Sequence, residues 1–327
     1  MALDVTFTNG VIAAREKYLL KEKILRFCEM TAEEAFRALL ESGFGGGSET
    51  AASVYEYEKL VAAEENALDQ FILEYAPSEA ERAYLLSPRD FHNAKAFLKA
   101  AYLKTDAEKM LAPEGEIPLK TLETAVASGD FSEIGAVNAE LKTACEEAAA
   151  LLNEETVSGA EIGGIFEKAS FVHLKKVCRK NAVLKKLLPR KADMLNILTA
   201  LRAGEKEIAI DKYLPTGKLK TEQLDLLFEA DFDKAEEAFK NTPYAAFLKK
   251  CLDAKKRGAP MTEAERDLAS LEFDFLDERR YELKNTQPFL YYVFRRRGEN
   301  ANVRIVFVCK LAGLNEQEIK RRLRAAR

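Results

Sequence analysis

An acidic residue followed three positions later by asparagine recurs along this chain at a nearly constant interval. The copies are Asp90–Asn93, Asp193–Asn196 and Glu299–Asn302, and successive asparagines lie 103 and 106 residues apart. Asparagine is a mediocre helix residue because its side chain competes for backbone hydrogen bonds, so three copies at one period need a reason. Other segments keep the same step. PEGEIPLKTLETAV around Gly115 resembles PTGKLKTEQLDLLF around Gly217, 102 residues later, and EEAF at Glu33–Phe36 returns at Glu236–Phe239, 203 residues later. Self-similarity at a fixed period marks a repeat architecture. We expect one domain over residues 1–327, built from three related units at about 1–112, 113–215 and 216–327.

The units read as helical. Only 16 Gly and 9 Pro interrupt 327 residues rich in Ala, Leu, Glu and Lys, the strong helix formers. Thr31 with Glu34 forms a capping box that predicts a helix start, and Gly43 with the Gly45–Gly47 run predicts its end and a flexible connection. Val54, Tyr57, Leu60, Val61, Leu68, Phe71 and Ile72 make a helical apolar stripe within residues 51–75. At SPRDFHN, Ser87 predicts a cap, Pro88 a first turn, and Asp90 the close of a capping box. Gly298, directly after Arg295, Arg296 and Arg297, predicts a helix stop. The fold class expected is all-α.

Several functions are excluded or disfavoured. The longest apolar run near the end, Val303–Cys309, contains Arg304 and is too short to cross a bilayer. MALDVTFTNG lacks the order of a signal peptide. Five separated cysteines in apolar helical contexts read as reduced, buried thiols. The two histidines, His92 and His173, have no partner at metal-ligand spacing, so neither a metal nor a cofactor is expected. GFGGGS lacks the Lys-Ser/Thr of a phosphate loop, and there is no nucleophile elbow. A net charge of −4 argues against nucleic acid. The charge is uneven, however: residues 279–327 hold thirteen Lys/Arg against four Asp/Glu. The chain reads as non-catalytic.

For Asn93, Asn196 and Asn302 two readings stand: a buried hydrogen bond tying equivalent joints, which we favour, and contact with a partner in a shared central cavity. For Arg295, Arg296 and Arg297 the alternatives are a solvated helix end and a docking patch for a partner.

The segment ENANVRIVFVCKLAGLNEQEIKRRL resembles the C-terminal signature of the V-type ATPase C subunit family, called d in eukaryotic enzymes. The matching positions are Glu299, Asn302, Val303, Arg304, Lys310, Gly313, Leu314, Ile319 and Leu323. FTNGVIAAREKYLL, with Gly10 and Arg15, resembles the family's N-terminal helix, and EEAFRALLESGFGG the segment after it. The resemblance implies an all-helical funnel of three lobes that sits, without chemistry of its own, between the central stalk and the membrane rotor ring. It implies H+ or Na+ pumping or ATP synthesis by the whole complex. It also implies a peripheral place on the cytoplasmic face, with membrane contact only through the complex. The rival reading is a helical-repeat scaffold that binds a protein partner.

Overall fold

The computed structural model describes residues 4–20, 22–152, 159–203, 205–229, 232–277 and 286–324. Among these residues there are 17 α-helices, with short 3-10 turns and no strand. In chain order they are α1 Val5–Arg15, α2 Lys23–Glu29, α3 Ala32–Glu41, α4 Tyr57–Tyr75, α5 Glu79–Leu103 and α6 Leu119–Ser128. There follow α7 Ser132–Val137, α8 Ala139–Leu152, α9 Gly159–Val177, α10 Leu184–Ala203, α11 Lys206–Ile210 and α12 Thr221–Asp225. The last are α13 Phe232–Phe239, α14 Ala245–Lys256, α15 Thr262–Asp277, α16 Gln287–Leu311 and α17 Glu316–Arg322. None of the described helices is long and apolar enough to cross a membrane.

The chain divides into two compact units: residues 1–78 with 269–327, and residues 79–268. In the first, α2, α3, α4, α16 and α17 surround a core that includes Phe27, Leu39, Leu60 and Phe307. Phe307 stacks on Tyr57 at 5.3 Å between ring centroids and meets Phe36 edge-on at 6.2 Å. The apolar stripe read from the sequence is this core face of α4: Tyr57, Leu60, Val61, Leu68, Phe71 and Ile72 are all buried. In the second unit, α5, α6, α8 and α9 pack around Phe91, Leu122, Leu141, Cys145 and Phe166. All five cysteines are free and buried, and burial pushes the thiols of Cys145, Cys178 and Cys251 up to about 12.

The Thr31 capping box is present. Thr31 Oγ1 accepts from the Glu34 N–H at 3.2 Å, and Glu34 Oε2 accepts from the Thr31 N–H at 2.9 Å. Three local expectations are corrected. Ser87, Pro88 and Asp90 do not open a helix: α5 begins at Glu79 and runs through Pro88, and Ser87 and Asp90 are buried within it. Gly298 does not stop a helix either. It lies inside the 25-residue α16, whose neighbouring turns bury Val293, Arg296, Glu299 and Val303 and hold the helix through one weak residue. Finally, the glycine run is not a loose connector. Gly45, Gly46 and Gly47 have φ of 61°, 85° and 63°, which favours glycine. A Cβ on Gly45 would also lie 2.3 Å from the Leu60 carbonyl oxygen, so the turn seats directly on α4.

Candidate functional site

The repeated motif resolves into a clamp between a helix and the backbone of a later loop. On α5, Asn93 Oδ1 accepts from the Ala112 N–H at 2.8 Å, and its Nδ2 donates to the Pro113 carbonyl at 3.4 Å. One turn back, Asp90 accepts from the Glu116 N–H at 3.0 Å and the Ile117 N–H at 3.1 Å. On α10, Asn196 accepts from the Leu214 N–H at 2.7 Å and donates to the Leu214 carbonyl at 3.2 Å. Asp193 accepts from the Lys218 and Leu219 N–H groups at 2.7 and 2.9 Å. The two loops are therefore held in the same register. In each, the carboxylate takes the N–H groups four and five residues beyond the one taken by the asparagine. Gly115 and Gly217 sit at matching places, where a Cβ would come within 2.2 Å of Asp90 Oδ1 and 2.4 Å of Asp193 Oδ1. The PEG and PTG segments resemble each other because both must let a carboxylate reach backbone.

On α16 the asparagine half is the same: Asn302 accepts from the Arg324 N–H at 2.8 Å and donates to the Arg324 carbonyl at 3.3 Å. All three asparagines are buried, and each side-chain amide completes a peptide-like pair with backbone that would otherwise be unsatisfied. The acid differs. Glu299 accepts from Arg296 Nη1 at 3.1 Å, and Arg296 also donates to Glu64 of α4 and to the Tyr18 carbonyl. Glu64 in turn accepts from the Gly45 N–H at 2.9 Å. Two features singled out in the sequence, the glycine run and the arginine run, thus meet on Glu64. That residue had no signal of its own beyond the acidic face it shares with Glu58 and Glu65.

The arginine run is not one patch. Arg296 is 7% exposed and enclosed by two carboxylates. Arg296 is therefore a tie within this unit, and of the three arginines it is the one whose charge is satisfied in the interior. Arg295 donates to the Tyr291 hydroxyl at 3.2 Å and approaches Glu299 at 3.8 Å. Arg297 is partly exposed. Part of the basic excess near the C-terminus is answered within this unit. Arg304 makes a bidentate pair with Glu65 at 2.6 and 2.8 Å and a further bond to Glu58 at 3.0 Å. Lys320 pairs with Glu29 and Glu316 at 2.8 and 2.6 Å. Lys310 donates to the carbonyls of Cys28 and Met30 at the end of α2, where a cation offsets the helix dipole. Residues 279–285 and 325–327 of the basic segment lie outside the described residues.

The signature at the chain's end is therefore structural throughout. Glu299, Asn302, Arg304 and Lys310 make polar ties, Gly313 turns the chain at φ 76°, and Ile319 and Leu323 enter the core. A family model described as ATP synthase (C/AC39) subunit matches residues 8–322. The chain belongs to that family. The segments that carried the resemblance lie within the matched range, apart from their outermost residues, Phe7 and Leu323. No curated protein matches the chain. As a C/AC39 subunit it is a component of a V/A-type rotary ATP synthase or ATPase, and the family is an accessory one rather than a catalytic one. Among its described residues no cluster of three or more His, Cys, Asp or Glu side chains is placed to hold a metal ion. His92 Nε2 donates to the Met110 carbonyl at 2.8 Å, and His173 lies 3.3 Å from Glu140, itself tied to Lys176. Both histidines have structural neighbours.

Proposed function

We propose that this chain is the non-catalytic rotor subunit that joins the central stalk to the membrane rotor ring. In that role it couples ATP hydrolysis or synthesis in the head to H+ or Na+ movement through the ring. The observation that carries the reading is the family match over nearly the whole chain. The physical character of the two units agrees with it. A part that passes torque needs stiffness and fitted surface more than a reactive group, and close-packed interiors resist deformation. Buried side-chain clamps add fixed points where loops would otherwise yield. The reading includes three related units of about a hundred residues, peripheral attachment on the cytoplasmic side, and docking of Arg295 and Arg297 on an acidic partner surface. Such attraction is strongest at low ionic strength.

The test is affinity purification of the tagged chain from its own host, with the co-purifying proteins identified by mass spectrometry. Stalk and ring subunits are expected together. Recovery of neither, or of a set unrelated to a rotary ATPase, overturns the reading in favour of a free-standing helical scaffold.

A further inference from the structure

Helices α5 and α9 pack together within the unit of residues 79–268, and with α10 they border a cleft of about 480 Å³. Small-molecule sites commonly span about 300–1,000 Å³. The cleft is open partly because α9 brings Gly163 and Gly164 to its wall. Glycine weakens a helix interior, and where it stands there it usually permits a close approach or an unusual turn. Neither reason holds for this pair. Both lie inside the helix, and a Cβ on either would meet nothing within 4 Å. What the two glycines leave is room in the cleft.

The lining carries both signs of charge. Lys95 comes from α5 and is half-buried, and Glu167 comes from α9 and reaches the surface. Each acts on the other through its field, yet among the described residues neither makes an ion pair or a hydrogen bond. Arg304 and Lys320, by contrast, close directly on glutamates. Loss of water pushes the Lys95 ammonium below its ordinary pKa, and Lys99 adds to this. The same loss raises the Glu167 carboxyl, against the pull of Lys95. Two opposite charges thus face one cleft, each short of a partner. Lys212 adds a second ammonium at the border, whereas His92, also on the lining, is committed to the Met110 carbonyl. Pro88, Phe91 and Phe166 make the wall partly apolar, and Ser170 and Thr199 bring hydroxyls to it.

We infer that this cleft binds a small zwitterion of the α-amino acid class with an uncharged side chain, its carboxylate held toward Lys95 and its ammonium toward Glu167. A molecule with a single charge fits less well. An anion at Lys95 meets Glu167, and a cation at Glu167 meets Lys95 and Lys212, whereas a zwitterion answers both signs with charge-assisted hydrogen bonds. The apolar part of the wall suits an uncharged side chain rather than a third charge. Occupancy would tie α9 to α5, the helix that carries the Asp90–Asn93 clamp. The inference stands apart from the rotary reading, since its test needs no other subunit.

Isothermal titration of the full chain with L-leucine tests it, beside 3-methylbutylamine and 4-methylpentanoate, which carry the same side chain with one charge each. L-leucine is expected to bind, and the two singly charged probes to bind at least tenfold more weakly. Lys95→Met and Glu167→Gln should each weaken L-leucine at least fivefold. Gly163→Leu, whose side chain enters the cleft, should abolish binding with the unfolding midpoint kept or raised. No binding of L-leucine at millimolar concentration overturns the inference, and that is the result if Lys95 and Glu167 simply close on each other in solution. Equal binding of the amine or the acid overturns it too, as does binding that survives all three substitutions.

Discussion

At the scale of single residues, the three clamps share an amide but differ in how the acid is satisfied, and that difference has consequences. Asp90 receives two backbone N–H groups, yet burial outweighs them and lifts its pKa from 3.8 to about 7. A carboxyl that binds its proton more tightly folded than unfolded contributes its full stabilisation below pH 3.8 and loses it as pH rises to about 7. Unfolding free energies of the wild type and Asp90→Asn, measured across that range, should therefore differ by an amount that shifts against the wild type as pH rises. A pH-independent difference would mean that the group does not titrate there. For the asparagines, Asn196→Leu removes both bonds to Leu214 and strands its N–H and carbonyl, a loss of ~1–3 kcal/mol by denaturant unfolding. Asn93→Leu should cost about the same at Ala112 and Pro113. Arg296→Met leaves Glu64 enclosed without its cation and Glu299 facing only the more distant Arg295, and breaking such a pair costs about 3–5 kcal/mol.

At the scale of helices and loops, two sets of glycines predict opposite outcomes. Gly115→Ala and Gly217→Ala drive a Cβ into Asp90 and Asp193, so each should destabilise, by ~1–3 kcal/mol if the carboxylate must withdraw from its loop. Gly298→Ala places a Cβ in open space in mid-helix, and should stabilise by about 0.5–1 kcal/mol. Thermal unfolding of the three variants, checked for retained helix by circular dichroism, separates the cases. The same contrast shows what could be read beforehand. The motif was legible because an asparagine follows an acidic residue by three positions in each copy, and so were the capping box and the α4 stripe, which are local patterns. The position of Asp90 within α5 was misread. Pro88 near a serine looks like a helix start, and only the preceding helical residues, Glu79–Ser87, packed against the rest of its unit, override that local signal. The glycine run looked flexible for a similar reason. Positive φ and the close approach to Leu60 are set by tertiary packing, which leaves no periodic trace. Glu64 was invisible because one glutamate among many on a helix says nothing until Arg296, 232 residues away, is brought to it.

At the scale of the whole molecule, the charge asymmetry of the chain becomes an internal device. Arginines and lysines late in the sequence find glutamates early in it: Arg296 on Glu64, Arg304 on Glu58 and Glu65, Lys320 on Glu29. What remains for partners is smaller than the raw count of thirteen basic residues suggests. Arg295→Ala with Arg297→Glu, which spares Arg296 and sets no second carboxylate beside Glu299, should weaken assembly of the complex while the isolated chain keeps its helix content. Normal assembly with coupled ion transport would remove both residues from the docking surface.

Because one compact unit draws on residues 1–78 and 269–327 while the other is contiguous from 79 to 268, the order of synthesis imposes a schedule. The ribosome releases the first helices long before α16, the helix that supplies Phe307 and the arginines to their core. At ~5–20 residues per second that interval is about 10–40 s, during which Leu39, Leu60 and Val61 lack their final neighbours and are open to capture by chaperones or by another nascent chain. The intervening segment has all of its unit in hand by residue 268 and can fold in that time. A polypeptide of residues 1–78 alone should therefore be poorly helical and aggregation-prone, and should gain structure when a peptide of residues 286–324 is supplied. If it instead folds cooperatively unaided, the late strip of helix is an ornament to the early one, and the nascent chain has nothing to wait for.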